Sequence, residues 1–188
     1  MTQIVAIAGS PSHPSRTYSL LEYANHWLKQ QGIQTTILAV RDLPAEDLVF
    51  GRYDSPALNP AKSLIEQADG LIIATPIYKA SFTGVLKAFL DLLPQKSLVG
   101  KVLFPLATGG TIAHYLALDY ALKPVLSELG AQHFIPTVYA IDQQIQRQQD
   151  GGILLEEELA QRLQRSLSAL VNALPPSLTN PKPLIHAE

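Results

Sequence analysis

Cysteine is absent from this chain of 188 residues, which removes disulfides and thiolate ligands and leaves any two-electron chemistry to a bound cofactor. Charge is sparse. Asp, Glu, Lys and Arg make up 16% of the residues, and the formal net charge is −2. With no cluster of Lys and Arg, nothing offers general attraction to nucleic acid or to an anionic membrane. No uncharged apolar run reaches membrane-spanning length and no leader pattern opens the chain, so the expected compartment is the cytoplasm. Two glycine signatures, Gly-x-Gly-x-x-Gly and Gly-x-x-x-x-Gly-Lys-Ser/Thr, are also missing, which leaves the dinucleotide fingerprint and the nucleotide P-loop unsupported. His13, His26, His114, His133 and His186 lack the spacing of a metal site, so no metal is expected. No Gly-x-Ser-x-Gly elbow marks a hydrolytic nucleophile.

What is present is a hydrophobic content of 47%, enough for one substantial core, and no linker-like stretch divides the middle of the chain. One domain is expected over residues 1–174, followed by a proline-rich tail over 175–188. The stretch around which the chain is organised runs from Gly9 to Thr17. It follows Ile4-Val5-Ala6-Ile7-Ala8, a β-branched run suited to a strand buried on both faces. It precedes a helical pattern in which Leu20, Leu21, Ala24, Trp27 and Leu28 share a face. A loop at such a junction aims free N–H groups and the positive end of the helix dipole at one point. Ser10, Ser15 and Thr17 add hydroxyls, Arg16 adds a charge, and Pro11 and Pro14 stiffen the loop. Ser or Thr before a helix also serves as an ordinary N-cap, but the cluster favours a phosphate, most simply that of FMN.

Further strands are expected at 34–40, 71–75, 99–106 and 133–140, the last bent by Pro136, with helices over 61–68, 85–93, 112–129 and 154–174. Residues 41–60 read as an irregular but packed excursion, and the glutamine-rich 143–149 connector as mobile. Pro105 is expected at the carboxyl edge of its strand, and Lys123-Pro124 to kink or bulge the long helix. Strand and helix alternate five times, which predicts an α/β, doubly wound, five-stranded parallel sheet of order 2-1-3-4-5 with helices on both faces and ligands beyond the carboxyl ends of the strands. Two more loops lie at that edge. Thr75 to Gly84 offers Tyr78 and Lys79, which suit a flavin ring, although Tyr78 also suits a hydrophobic plug. Thr108-Gly109-Gly110-Thr111 allows close backbone approach, but Gly-Gly is natural in any strand-to-helix turn. His114 follows one turn later, where a lone helical histidine is as natural on the surface as beside a cofactor.

The segments Gly9–Arg16 (Gly-Ser-Pro-x-x-Pro-Ser-Arg), Ser19–Ala24, Asp54–Leu58, Ala74–Ala80, Leu90–Pro94 and Leu106–Thr111 with His114 resemble, in colinear order over residues 1–142, the NAD(P)H-dependent FMN reductases of the flavodoxin-like superfamily. The resemblance is closest to the reductase of two-component alkanesulfonate monooxygenase systems. It implies an enzyme that moves hydride from NADPH, or NADH, to FMN and supplies reduced flavin to a partner monooxygenase in sulfonate utilisation. By the same resemblance, Ser10, Ser15, Arg16 and Thr17 hold the FMN phosphate, Pro76, Ile77, Tyr78 and Lys79 line the ring and ribityl chain, and Thr108, Gly109, Gly110 and Thr111 meet the polar edge of the ring, with His114 nearby. No side-chain catalyst is implied. Tyr120 matches a tyrosine that forms a π-bulge at a tetramer interface, so a homodimer or homotetramer is expected. Where relatives carry an arginine two residues after the first loop serine, this chain has Ser12, a loss of one charge-assisted contact worth about 1–3 kcal/mol that His13 or Arg16 offsets. A quinone or azo reductase with fixed FMN, or a flavin electron carrier without nucleotide chemistry, shares most of these features.

Overall fold

β-Branched and aliphatic residues without a polar interruption build the central strands, and their alternate side chains feed two separate cores. The computed structural model describes residues 2–148 and 152–175. Its main sheet contains β1 (Gln3–Ala8), β2 (Gln34–Ala39), β3 (Gly70–Pro76), β4 (Val102–Gly109), β5 (His133–Phe134) and β6 (Val138–Ile141). The order is β2-β1-β3-β4-β5, every pairing is parallel, and β6 continues the β5 position alongside β4. This is the expected 2-1-3-4-5 sheet.

Ile4, Ala6, Ile72, Ala74, Phe104 and Leu106 face α1 (Arg16–Gln30) and α6 (Glu157–Ala173), whose Leu20, Leu28, Leu163 and Leu170 are fully buried. Val5, Ile7, Leu71, Ile73, Leu103 and Ala107 face the other layer. That layer holds α3 (Asn59–Gln67), α4 (Gly84–Leu90) and α5 (Lys123–Glu128). The excursion after β2 is packed, as expected, but not irregular. A 3₁₀ turn (Val40–Asp42), the short helix α2 (Ala45–Val49) and a second 3₁₀ turn (Pro56–Leu58) bury Val40, Leu48 and Leu58 in the second core.

Several expectations needed correction. Pro105 does not end its strand. It is the fourth residue of β4, opposite Ile73 in the register, and β4 continues through Thr108 and Gly109. The missing N–H is tolerated because the neighbouring strand is itself interrupted there. β5 pairs with β4 up to Leu103–Phe134, and pairing resumes at Leu106–Val138. Two residues of β4 thus oppose three of the edge strand, including Pro136, as in a bulge.

The expected helix over 112–129 is three pieces: a 3₁₀ turn (Ile112–His114), a π-helical segment (Leu118–Leu122) and α5. Pro124 lies in the first turn of α5, where its missing N–H costs little, but it deprives the Tyr120 carbonyl of its i+4 donor. A wider π turn at that place is the local solution. The glutamine-rich connector is partly regular, a 3₁₀ turn (Asp142–Gln144) followed by an antiparallel hairpin of β7 (Ile145–Arg147) and β8 (Ile153–Leu155). The last helix accordingly begins at Glu157 rather than at 154. Residues 149–151 of the connector expected to be mobile, and all but the first residue of the 175–188 tail, lie outside the described residues. Among the described residues, no helix is long and apolar enough to cross a membrane.

Candidate functional site

Three strands end side by side, and the loops that leave them are joined by hydrogen bonds. The first leaves β1 at Gly9, whose N–H donates to the Ala74 carbonyl at 2.7 Å. A Cβ at Gly9 would lie 2.9 Å from Leu86 Cδ2 and 3.0 Å from the Ala74 oxygen, so only glycine lets the chain leave the sheet here. Thr83 caps α4 by accepting from the Leu86 N–H, and its hydroxyl donates to the Gly9 carbonyl. Ile77 N–H donates to the Thr108 carbonyl at 2.8 Å. Beneath all three loops, the buried hydroxyls of Thr17 and Thr108 lie 2.6 Å apart.

In the first loop, Ser15 adopts the extended conformation of an N-cap and its hydroxyl accepts from the Tyr18 N–H at 3.3 Å. The N–H groups of Arg16 and Thr17, at the first turn of α1, have no acceptor among the described residues. Ser10 is buried, and among the described residues its hydroxyl pairs only with its neighbour Ser12, at 3.2 Å. Arg16 is half-exposed and forms an ion pair with Asp142 at 3.5 Å.

The second loop doubles back through a two-residue turn. Tyr78 and Ser81 exchange backbone hydrogen bonds, and Lys79 and Ala80 between them both have positive φ, 51° and 64°. That is the geometry of a primed hairpin turn, which usually holds Asn or Gly. It leaves Tyr78 exposed, which is not a plug.

At the third loop, Thr108 and Gly109 still belong to β4, and the turn begins at Gly110. Thr111 accepts from the Ala113 N–H at 2.9 Å and opens the 3₁₀ turn that carries exposed His114.

Sequence reasoning missed three residues that hold these loops. Tyr139, fully buried on β6, donates from its hydroxyl to the Thr111 carbonyl at 2.9 Å. A Cβ on Gly109 would lie 2.1 Å from that hydroxyl, so the glycine makes room for it. Burial first and the Asp142 charge second push the Tyr139 pKa up. Asp142 anchors Arg16, and Arg41 donates to the Ser12 carbonyl at 2.9 Å. The only signal for Tyr139 was an aromatic residue in an apolar strand, and an exposed-looking Arg41 after β2 gave none. The expected site residues of the three loops, Ser10, Ser15, Arg16, Thr17, Pro76, Ile77, Tyr78, Lys79, Thr108, Gly109, Gly110 and Thr111, thus gather at one edge of the sheet. Tyr120 sits in the π-helical segment and is 79% exposed.

Such an arrangement offers unpaired helix-start N–H groups, hydroxyls and one guanidinium for an anion, beside two loops suited to a flat ligand. Residues 2–146 match the family model described as NADPH-dependent FMN reductase. The chain is 53% identical over 142 residues to an FMN reductase (NADPH) of Pseudomonas putida, an alignment covering 76% of this chain and 72% of that protein. An FMN reductase (NADPH) of Escherichia coli is 52% identical over 143 residues, covering 76% and 75%. A solved structure of an NADH:FMN oxidoreductase in its apo form superimposes over the full length of both chains with a TM-score of 0.83 and 40% identity.

Proposed function

The chain belongs to the NADPH-dependent FMN reductase family, and from that premise we propose that its three joined loops hold FMN at the carboxyl edge of the sheet, within reach of NADPH as hydride donor. The protein is an NAD(P)H:FMN oxidoreductase.

The first loop fits a phosphomonoester. Among the described residues, Arg16 and Thr17 present unpaired N–H groups, Ser10 has only Ser12 as partner, and Ser15 keeps its own O–H free to donate while accepting from Tyr18. Arg16 supplies the charge. Thr17 contributes through its N–H, because its hydroxyl is shared with Thr108. Pro76, Ile77, Tyr78 and Lys79 supply the wall for the ring and ribityl chain, and Thr108 to Thr111 the side facing its polar edge, with exposed His114 beyond. FMN, when bound, supplies the hydride chemistry itself. The side chains would position it, and the Thr17–Thr108 and Tyr139–Thr111 bonds hold the loop backbone rigid. No acid or base is required of them.

The observation that carries this reading is the buried Thr17–Thr108 contact, which ties the anion loop to the ring loop. Reduced flavin is then released in the cytoplasm to a separate monooxygenase, such as one acting on alkanesulfonates. Exposed Ile112, Leu116 and Tyr120, 60%, 56% and 79% accessible, support a homodimer or homotetramer built through the π-helical segment. NADPH and NADH oxidation by the purified protein, with and without added FMN, tests the activity. Saturable multiple turnovers with FMN, faster with NADPH, are expected. FMN binding without consumption of either nucleotide would leave the fold standing and remove the proposed role.

A further inference from the structure

Arg41 lies just past β2, in the 3₁₀ turn Val40–Asp42, and belongs to none of the three loops. Its side chain nevertheless turns toward the first one. Nη1 donates to the Ser12 carbonyl at 2.9 Å, and the guanidinium lies 5.7 Å from the centre of the Tyr18 ring. Nε donates to Asp42 at 3.3 Å, and the side chain keeps only 22% of its exposure. By contrast Arg16, the charge within the loop itself, is 43% exposed and already paired with Asp142.

The contact falls at a sensitive place. Pro11, Ser12, His13 and Pro14 are all exposed, and among the described residues the Arg41 bond is the one that fixes their backbone to the body of the protein. Ser12 is also the residue whose N–H and hydroxyl approach Ser10 Oγ, at 3.4 and 3.2 Å. Holding the Ser12 carbonyl therefore orients the serine pair at the mouth of the anion site. A loop fixed before binding loses less freedom when the ligand arrives. The guanidinium also places a second positive charge beside the loop, one that Asp42, on the exposed side, neutralises only in part.

We propose that Arg41 is a positioning residue for the phosphate of the flavin: it clamps the first loop through Ser12 and thereby sets the preference for the phosphorylated flavin over riboflavin. This rests on the reading of the first loop as the phosphate site. Riboflavin carries the same ring and ribityl chain without the phosphate, so it separates a clamp on the loop from a general loss of structure.

The test compares Arg41→Ala, Arg41→Lys and Arg16→Ala with FMN and with riboflavin as acceptors at fixed NADPH. Arg41→Ala is expected to raise the KM for FMN about tenfold, the size of one lost charge-assisted contact. The KM values for riboflavin and NADPH, and kcat at saturating FMN, stay within about twofold on the same scale. Arg41→Lys recovers part of the loss, since an ammonium still donates to the Ser12 carbonyl but without the planar fork. Equal weakening of FMN and riboflavin, or an unchanged KM for FMN, overturns the inference. If Arg16→Ala erases the preference for FMN while Arg41→Ala does not, Arg41 alone is excluded. If neither substitution changes that preference, the first loop is not the phosphate site and both readings fall.

Discussion

Gly109 and Tyr139 show how one residue type licenses another across strands. The hydroxyl of Tyr139 occupies the space a Cβ on Gly109 would need and reaches on to the Thr111 carbonyl. Gly109→Ala is expected to lower stability by about 1–3 kcal/mol through overpacking, read as a shift in the urea midpoint; an unshifted midpoint would show that the ring moves aside freely. Tyr139→Phe removes one half-buried hydrogen bond, to the Thr111 carbonyl, worth about 0.5–1.5 kcal/mol. It also removes a pH dependence. Because the folded pKa of Tyr139 is raised above its ordinary value, the folded state holds that proton more tightly than the unfolded chain. Its contribution is therefore complete below the ordinary tyrosine pKa of about 10 and is lost as pH climbs from there through the folded value. Unfolding curves of the parent and of Tyr139→Phe should thus converge above pH ~10, relative to their separation at neutral pH. A constant difference would contradict this.

The elements around the site are short and depend on caps and turns more than on length. Thr83 both caps α4 and closes the bond to the Gly9 carbonyl. Thr83→Val keeps the shape but deletes both interactions, and about 1–3 kcal/mol of stability should be lost. If calorimetry finds less than a few tenths of that scale, the cap and the bond are not coupled to folding. In the second loop, Lys79 and Ala80 both hold positive φ without being glycine. Ala80→Gly relieves that strain, which outweighs the entropy gained by the unfolded chain, so a gain of up to about 1 kcal/mol is expected. A loss of stability would mean that the turn is not strained at Ala80.

At the scale of the whole molecule, the sheet places all three candidate loops on one edge, and the π-helical segment lies beside that edge with Tyr120 projecting into solvent. If this segment joins copies of the chain, Tyr120→Asp should lower the mass measured by light scattering by at least half at the same concentration, with the far-UV circular dichroism unchanged. An unaltered mass would leave those apolar side chains without that role. Lys101 lies at the opposite end of the sheet, where its ammonium donates to the Glu66 and Ala68 carbonyls at the end of α3. Burial lowers its pKa despite Asp69 and Glu66. That group gives the opposite slope to Tyr139, stability rising with pH only between its lowered folded value and its ordinary one.

Much of this was written in the sequence, and the division follows a physical line. Apolar runs such as Ile4–Ala8 and Leu71–Thr75, Ser15 before α1, and the alternation of strand with helix marked the elements and the position of all three loops, because burial period and capping are properties of neighbours along the chain; the order 2-1-3-4-5 followed only from the doubly wound pattern that such alternation favours. The reach of each element beyond its clear pattern was another matter. Pro105 sits inside a strand because the chain beside it breaks at Pro136, and β7 and β8 pair although neither segment is strongly patterned. Thr17 with Thr108, Tyr139 under Gly109, and Arg41 against Ser12 are contacts over 91, 30 and 29 positions. No local period reports on such pairs. Composition and spacing determined where the three candidate loops lie, and only tertiary structure decided which side chains hold those loops still.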